Sequence, residues 1–409
     1  MNALLAADPL FADGIDWTVM AVVVVKVLVA FVILLVSVML YIWGMRKWIA
    51  DMQNRVGPAN AGPAGVLQTL ADGIKLFFKE QSIPDSADRP IFRLAPYLSI
   101  LPAFLMFCVV PIGGEVSIFG RKTYLQVAEL PIGAMFILAC SGVAVYGVML
   151  AGWASGSKYP LLGAVRASAQ VLSYEAAFGL GILSVLMRAG TLSTREIVEQ
   201  QAWVGGDRFY ENLGNWYLLP ASVGFVIFII AAIAETNHPP FDFVEAEQEL
   251  VGGFVTEYTG IRFAIFFLAE FMNIITMSAV ATTLFLGGPS GPAIWPDRLS
   301  ADGWINATIV PVVWFVVKVL GLTFCTVWIR ASLPRLRYDQ LMALGWKWLI
   351  ELAVLFVLVT AALIVLPPDD AGFLDNIRYG AAIIAAAAVA YGILYLCMPK
   401  PGESVEEFR

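Results

Sequence analysis

Residues 19–43 read VMAVVVVKVLVAFVILLVSVMLYIW, a run of 25 residues in which Lys26 is the one charged side chain. About 20 consecutive apolar residues suffice for a helix to cross the hydrocarbon core of a bilayer. The run does not alternate between apolar and polar residues, as a strand of a membrane barrel would. Because a helix satisfies its own backbone hydrogen bonds inside lipid, the stretch predicts a transmembrane helix.

The rest of the chain has the same character. Of its 409 residues, 59% are hydrophobic and 14% are charged, with a mean hydropathy of +0.78. Soluble domains contain about 45–50% apolar and about 25% charged residues, so the composition predicts an integral membrane protein. Eight more runs are long enough to span a bilayer, which predicts a single all-α membrane domain, a polytopic transmembrane bundle of about nine helices. The predicted spans are 19–43, 94–113, 131–152, 163–187, 218–236, 263–286, 308–329, 347–366 and 379–397.

The distribution of basic residues predicts the orientation of the bundle. Sixteen Lys and Arg residues lie after odd-numbered spans or in the C-terminal tail, and seven lie on the other side. The positive-inside rule then places the N-terminus outside and the C-terminus in the cytoplasm. No Lys or Arg precedes Lys26, so the basic region of a secretory signal is missing and the first span is expected to be retained.

Several kinds of chemistry are not expected of this chain. Its one histidine, His238, cannot form a multi-histidine metal, haem or copper site. The four cysteines stand singly in apolar runs, which argues against iron–sulfur clusters, zinc sites and a disulfide framework. The net charge of −7 argues against a nucleic-acid partner. Neither a P-loop nor a GxGxxG fingerprint is present, so we expect no flavin, metal or other redox centre in the chain, and any redox step must come from partners.

The first predicted cytoplasmic loop, 44–93, contains an amphipathic helix at 64–80. A Gly- and Pro-rich stretch, 55–63, precedes it and indicates a rigid turn. At 100° per residue the apolar residues fall on one face and the polar ones on the other. The apolar face holds Leu67, Leu70, Ile74, Phe77 and Phe78, and the polar face holds Gln68, Asp72, Lys75 and Lys79. Such a helix either covers the ends of the bundle or walls a cavity for an amphiphilic ligand.

A second predicted cytoplasmic loop, 237–262, is acidic where the positive-inside bias favours bases. It carries five carboxylates and one base, Arg262. The carboxylates are Asp242, Glu245, Glu247, Glu249 and Glu257. Either the loop is simply solvated, or its carboxylates have a function.

Three charged residues lie too deep in predicted spans to reach water easily: Glu175, Glu270 and Lys318. A charge at the bilayer centre costs about 2.5–3.5 kcal/mol on insertion scales, so such residues usually face a protein interior or water. At 1.5 Å per residue, Glu270 lies about 10 Å and Glu175 about 18 Å along their helices from the cytoplasmic end. With Glu235 at the end of its span, these carboxylates form a candidate path for protons or cations. Lys318 either takes part or is a counter-ion.

Four ordered motifs carry a resemblance to a known family. They are RVGP at 55–58 with LADGIKLFFKE at 70–80; YGV at 146–148 with AGWAS at 151–155, KY at 158–159 and SYE at 173–175; AETNHPPFD at 234–242; and LPRLRYDQLM at 333–342. In these motifs the chain resembles the H subunit of bacterial NADH–quinone oxidoreductase, respiratory complex I, the homologue of the first mitochondrial ND subunit.

The resemblance implies a plasma-membrane subunit of a proton-pumping respiratory enzyme. In the family, quinone enters between helices of this subunit and is reduced by an iron–sulfur subunit of the peripheral arm, and acidic residues couple the reaction to antiporter-like subunits. The resemblance places Asp242, Glu245, Glu247, Glu249 and Glu257 at the cavity floor and Glu175 and Glu270 in the buried path. It places Arg46, Asp72, Lys75, Phe241 and Phe243 in the cavity lining.

The chain departs from the family pattern at three positions. Met45 replaces a carboxylate, Asn60 stands where an arginine is usual, and His238 replaces an arginine. His238 either titrates near neutral pH beside the cavity or is an exposed histidine at a helix end. Two other functions stay open at this point: the anchor subunit of a membrane-bound hydrogenase, and a stand-alone secondary transporter, although no inverted repeat is evident.

Overall fold

The computed structural model describes residues 8–11, 14, 16–118, 120–202, 215–242, 251–292 and 308–365. These residues form ten α-helices and a two-stranded antiparallel sheet. The helices are α1 (Trp17–Met52), α2 (Gln68–Phe78), α3 (Arg89–Cys108), α4 (Gly133–Ala154), α5 (Lys158–Ala189), α6 (Thr194–Gln200), α7 (Ser222–Glu235), α8 (Ile261–Phe285), α9 (Val310–Ser332) and α10 (Tyr338–Val365). The strands are β1 (Glu115–Ile118) and β2 (Arg121–Tyr124).

The predicted all-α membrane bundle is confirmed. Seven helices, α1, α3, α4, α5, α8, α9 and α10, are long and apolar enough to cross a membrane. The shorter apolar helix α7, with 14 residues, lies in the predicted span 218–236. The predicted ninth span, 379–397, lies outside the described residues, as does the C-terminal tail.

The predicted span 94–113 is wrong at both ends. The helix α3 begins at Arg89 and ends at Cys108, and β1 follows from Glu115. Pro90 stands in the first turn of α3, where a missing backbone N–H leaves no partner unsatisfied. Pro111 follows the helix and cannot donate to it, so the apolar residues after Cys108 leave the helix although their hydropathy resembles that of a span.

The amphipathic helix forms as α2, inside the predicted range 64–80 but shorter. Its first predicted turn is instead a 3-10 turn at Pro63–Gly65. The Thr69 hydroxyl donates to the Met39 carbonyl of α1 at 3.2 Å, which fixes α2 against α1. None of the residues of α2 is buried. The helix therefore rests on the bundle without entering its core.

Helix α5 occupies the centre of the core and packs against α4, α7 and α10, while α8 packs against α1, α3 and α9. Small residues allow the close approaches, as in other membrane bundles. A Cβ at Gly147 of α4 would overlap the Ser99 hydroxyl of α3, and one at Gly152 would overlap Ala164 of α5. The Tyr174 hydroxyl donates to the Leu341 carbonyl at 3.0 Å and ties α10 to α5. This packing brings the middle of α5, the N-terminal half of α8 and the C-terminal ends of α7 and α9 together around one polar region.

Candidate functional site

The turn that follows α7 is held by a glutamine of α5. The side-chain amide of Gln170 donates to the Ala234 carbonyl at 2.8 Å and to the Phe241 carbonyl at 3.0 Å. Gln170 is fully buried. The Phe241 ring packs on Tyr174 with centroids 5.7 Å apart. The turn is thus fixed at both ends against α5.

A cavity lies between α4, α7, α8 and the 253–255 turn, and we call it the acidic cavity. Its polar lining consists of Ser99, Ser141, Glu235, Thr236, Asn237, Glu270 and Asn273. Its apolar wall includes Val145, Phe254, Phe263, Phe266 and Phe267. Glu235 is 7% exposed, and its Oε2 atom has no hydrogen-bond partner in the described part of the chain. The same holds for Ser99 Oγ and Asn273 Oδ1, so three polar groups with no partner among the described residues line one cavity.

Glu175 borders this cavity through a serine. The Ser141 hydroxyl donates to Oε1 of Glu175 at 3.3 Å, and Ser141 also lines the acidic cavity beside Glu235. On α4, Gly142 leaves room for the carboxylate, since a Cβ there would lie 3.0 Å from Oε1. The three glutamates that the sequence assigned to one path therefore lie around one space. Glu235 and Glu270 line it, and Glu175 is connected to it by the hydrogen bond from Ser141.

A second concavity, the α2 groove, lies between α1, α2 and α8. It has a volume of about 410 Å³ and is lined by Val38, Met39, Ile42, Arg46, Thr69, Leu70, Asp72, Gly73, Ile74, Leu76, Phe77, Ile261, Ala264, Phe267 and Leu268. Arg46 Nη1 and Asp72 Oδ2 form an ion pair at 2.8 Å. The groove thus combines a long apolar wall with one charged pair.

Helix α8 separates the two spaces, and Phe267 lines both of them. Residues of one α8 face, Ala264 and Leu268, line the groove, while Glu270 lines the acidic cavity. The Phe267 ring meets that of Phe271 edge-on, with centroids 4.6 Å apart. One aromatic side chain therefore forms a common wall between an apolar groove and a carboxylate-lined cavity.

His238 is 4% exposed, so its predicted alternative as an exposed histidine is wrong. Its Nδ1 lies 2.9 Å from Oε1 of Glu270, and its Nε2 lies 3.1 Å from Nη1 of Arg330. The ring meets Phe271 edge-on at 5.5 Å. Histidine, glutamate and arginine from three segments thus form a buried polar row beside the acidic cavity.

Four other predicted site residues that the structure describes, Lys75, Phe241, Asp242 and Glu257, do not line either space. Lys75 is exposed and does not line the α2 groove, and Phe241 is buried in the core. Asp242 lies 3.8 Å from Arg335, and Glu257 is half-buried outside the cavity lining. Phe243, Glu245, Glu247 and Glu249 lie outside the described residues. Next to Glu257, burial raises the pKa of the Tyr258 hydroxyl above its usual value.

Lys318 is not near the carboxylates. Its ammonium donates to three backbone carbonyls after the end of α8 and lies over the Trp216 ring, 4.4 Å from the centroid. The carbonyls belong to Leu286, Gly288 and Ser290, at 2.6, 2.9 and 2.6 Å. Lys318 therefore caps the chain at the opposite end of α8, and its partners there are backbone dipoles.

Several site residues were missed from the sequence. Asn273 follows Glu270 by three positions, so helical spacing placed it on the same face and was the available signal. Arg330 was counted only among the bases that set the orientation. Ser141 and Phe267 carry no sequence signal of their own, because their importance comes from what lies opposite them. Within the described ranges, no group of three or more His, Cys, Asp or Glu side chains is arranged to hold a metal ion.

Comparison with known proteins gives one consistent result. The family model described as NADH dehydrogenase matches residues 25–361. The chain is 50% identical over 362 residues to the H subunit of NADH-quinone oxidoreductase from Frankia alni, covering 88% of this chain and 75% of the relative. It is 49% identical to the H subunit from Frankia casuarinae, covering 87% and 75%, and 46% identical to the one from Streptomyces avermitilis, covering 93% and 81%.

Proposed function

The chain belongs to the NADH dehydrogenase family of NADH-quinone oxidoreductase H subunits, and we propose that it forms the membrane part of the quinone cavity and couples quinone reduction to proton translocation. The family makes it a membrane-spanning subunit of an oxidoreductase complex, so other subunits of that complex are its partners. The observation that carries the proposal is the α2 groove and the acidic cavity meeting at Phe267.

The α2 groove suits a quinone because it has a long apolar part and a polar end, as the ligand has. An isoprenoid tail is apolar and needs a long apolar wall, which α1, α2 and α8 supply. A headgroup carries carbonyl oxygens that accept hydrogen bonds, and Arg46 can donate to them. Its guanidinium is held by Asp72 at 2.8 Å, which fixes the direction of its remaining N–H groups. At position 45, where the family usually has a carboxylate, this chain has a buried methionine whose sulfur contacts Arg330. The groove therefore gains no carboxylate from that position.

The acidic cavity suits proton transfer. Buried polar groups in proteins nearly always have a partner, and three here have none in the described part of the chain. Water molecules in such a space would bond Glu235 Oε2, Asn273 Oδ1 and Ser99 Oγ and connect Glu235 with Glu270. Ser141 then extends the row to Glu175, deeper between α4 and α5. A hydroxyl both donates and accepts, so it can pass a proton between two carboxylates.

The shared wall provides the coupling. Quinone reduction changes the charge in the groove, and carboxylates behind one side chain respond because nearby charges shift their protonation. We assign the carboxylates of the acidic loop, 237–262, to the same coupling. The peripheral quinone-site and iron–sulfur subunits would then contact the α2 groove, and the antiporter-like subunits would receive the charge change. The plasma membrane of a bacterium, with the N-terminus outside and the C-terminus in the cytoplasm, is the corresponding location.

Glutamate replacements test the proton path in the whole complex, reconstituted in lipid vesicles. We expect Glu270→Gln and Glu235→Gln to lower proton translocation together with coupled turnover. Glu351→Gln in α10 is the matched control, since it makes the same change in a membrane helix away from the cavity lining. Full translocation in both cavity variants would remove these glutamates from the path.

A glycine pair tests the groove. Gly73 lines it, and a Cβ there would meet no atom within 4 Å, so Gly73→Phe adds an aromatic ring at the groove without a clash at its Cβ. We expect the quinone KM to rise or turnover to be lost. Gly321 of α9 also has open space at its Cβ but lies outside the groove, so Gly321→Phe controls for an added aromatic ring. Equal quinone kinetics in the two variants would rule the groove out as the quinone site.

A further inference from the structure

The row formed by Glu270, His238 and Arg330 determines where the proton of the imidazole lies. A guanidinium has only donors and stays protonated in proteins. Since Arg330 Nη1 lies 3.1 Å from His238 Nε2, that ring nitrogen must accept. In a neutral imidazole the other nitrogen then carries the hydrogen. That nitrogen, Nδ1, is the one that lies 2.9 Å from the carboxylate of Glu270.

We propose that Arg330 locks His238 in the neutral form protonated at Nδ1, so that His238 is a positioning residue that keeps its Nδ1 beside Glu270 and closes the α9 side to protons. This rests on the proposed function, in which Glu270 belongs to the proton path. The sequence alone allowed His238 to titrate near neutral pH. The geometry opposes that, because a second ring proton on Nε2 would point an N–H at the N–H of Arg330.

The fixed protonation of His238 determines the direction in which a proton can leave Glu270. To relay a proton through the ring, one nitrogen must receive a proton while the other releases one. Nε2 cannot receive one while Arg330 donates to it, and Arg330 itself has no acceptor. A proton on Glu270 therefore leaves toward Glu235 and Asn273, with which it shares the cavity, and does not cross to the seam between α1 and α9.

The charged and titratable groups around His238 come from each neighbouring element. Glu270 faces it from α8 and Arg330 from α9, while Glu235 ends α7 in the same cavity as Glu270. On α1, Tyr41 packs on Phe271 with centroids 5.9 Å apart, and its hydroxyl shares a hydrogen bond with Thr326 at 3.3 Å. In the turn itself, Asp242 lies 3.8 Å from Arg335. Glu270 favours a charged imidazolium and Arg330 disfavours it, so their charges act against each other. The protonation of His238 is therefore decided by the contact between Arg330 Nη1 and Nε2, where a second ring proton would face another donor.

The test varies what residue 330 offers to Nε2, in the assembled complex in lipid vesicles. Arg330→Gln can offer a carbonyl oxygen, which releases His238 to titrate. Since an unperturbed histidine has a pKa of about 6.5, about ten imidazoles in eleven are then protonated at pH 5.5. A protonated ring no longer closes the α9 side, so only the complexes with a neutral ring keep full translocation. We therefore expect protons translocated per NADH oxidised to fall up to about tenfold between pH 7.5 and 5.5 in this variant, relative to the wild type.

Two further variants separate the lock from general damage. Arg330→Lys keeps a donor without an acceptor, so its pH profile should keep the wild-type shape. Adding His238→Asn to Arg330→Gln removes the titrating ring and should abolish the acid fall. The proposal is overturned if Arg330→Gln has the pH profile of the wild type. It is also overturned if translocation by the wild type decreases between pH 7.5 and 5.5 and His238→Asn alone removes that decrease.

A readout independent of pumping distinguishes this proposal from the proposed function. If Glu270→Gln translocates protons normally, the proposed function fails, but the lock still predicts a change in heat stability. Arg330→Gln should then gain a pH dependence of its unfolding midpoint between pH 5.5 and 7.5 that is absent when His238→Asn is added. Because the single and double variants differ only at residue 238, that difference belongs to His238. Identical pH dependences in the single and double variants would contradict the lock.

Discussion

Replacing Gln170 by leucine should loosen the turn that carries the buried polar row. The glutamine amide is the partner of two backbone carbonyls, at Ala234 and Phe241, on either side of that turn. Leucine has a similar volume, so the packing of α5 against α7 is kept while both hydrogen bonds are lost. The substitution therefore isolates the polar contribution of one side chain.

The size of the effect follows from counting buried polar groups. The Phe241 carbonyl and the Asn237 side-chain oxygen, 3.0 and 3.3 Å from the Gln170 amide, lose this donor at about 1–3 kcal/mol each, while the Ala234 carbonyl keeps the Asn237 amide at 3.3 Å. Against this, Oε1 of Gln170 is itself buried without a partner in the described part of the chain, and its removal recovers about 1–3 kcal/mol. The net loss is about 1–3 kcal/mol. At 1.4 kcal/mol per tenfold, the turn should open about 5 to 150 times more often.

Hydrogen exchange of peptides covering 234–242 measures that opening directly. The Phe241 amide donates to the His238 carbonyl at 2.9 Å, and the His238 amide donates to the Ile233 carbonyl at 3.3 Å, so both exchange when the turn opens. Exchange in α4 should not change. As a matched control, Gln81→Leu alters an exposed glutamine between α2 and α3 and should change stability by less than about 0.5 kcal/mol. Exchange at 234–242 within twofold of the wild type would refute the assignment of the turn's rigidity to Gln170.

Three further outcomes are expected. Phe267→Ala removes the common wall of the α2 groove and the acidic cavity, so quinone reduction should continue while fewer protons are translocated per NADH; unchanged stoichiometry would count against that wall. Lys318→Met should lower thermal stability, because three carbonyls lose their partner at about 1–3 kcal/mol each. Removing the charge from the membrane recovers about 2.5–3.5 kcal/mol, which is less than the summed loss. A rise in the unfolding midpoint would show that the cost of placing the charge in the membrane is the larger of the two. Burial raises the pKa of Tyr258 above its ordinary value of 10.0, so the folded protein opposes ionisation and its stability falls as the pH rises beyond about 10. Tyr258→Phe should therefore lose less stability than the wild type between pH 9 and 11. Equal losses of stability would contradict burial as the cause.

The predicted depth of the buried glutamates was informative because helical rise is constant. Glu175, Glu235 and Glu270 were assigned to one path from their positions along three spans, and they lie around one cavity. Which side chains bridge them could not be read in the same way. Ser141 and Asn273 are ordinary residues in their own helices and matter only because α4 and α8 face the same space.

Predictions based on resemblance alone had a more varied outcome. Arg46 and Asp72 face each other in the α2 groove, whereas Lys75 of the same helix points to solvent and Phe241 packs into the core. A motif fixes residue identities, but the rotation of a short surface helix depends on its contacts with α1, including the Thr69 hydrogen bond. The role of each residue in quinone binding stays a prediction.

The amino-acid sequence by itself determined that this chain is a helical membrane bundle, because apolar runs of span length have one way to satisfy their backbone in lipid. It also determined the family, through four ordered motifs, and the scarcity of charge that makes each buried glutamate conspicuous. Tertiary structure decided which of those charges meet. His238 is buried between Glu270 and Arg330, which stand 60 residues apart on different helices, and the proton of a histidine depends on what its two nitrogens face. Sequence spacing cannot supply that, because side chains from separate helices are brought within hydrogen-bonding distance only by packing.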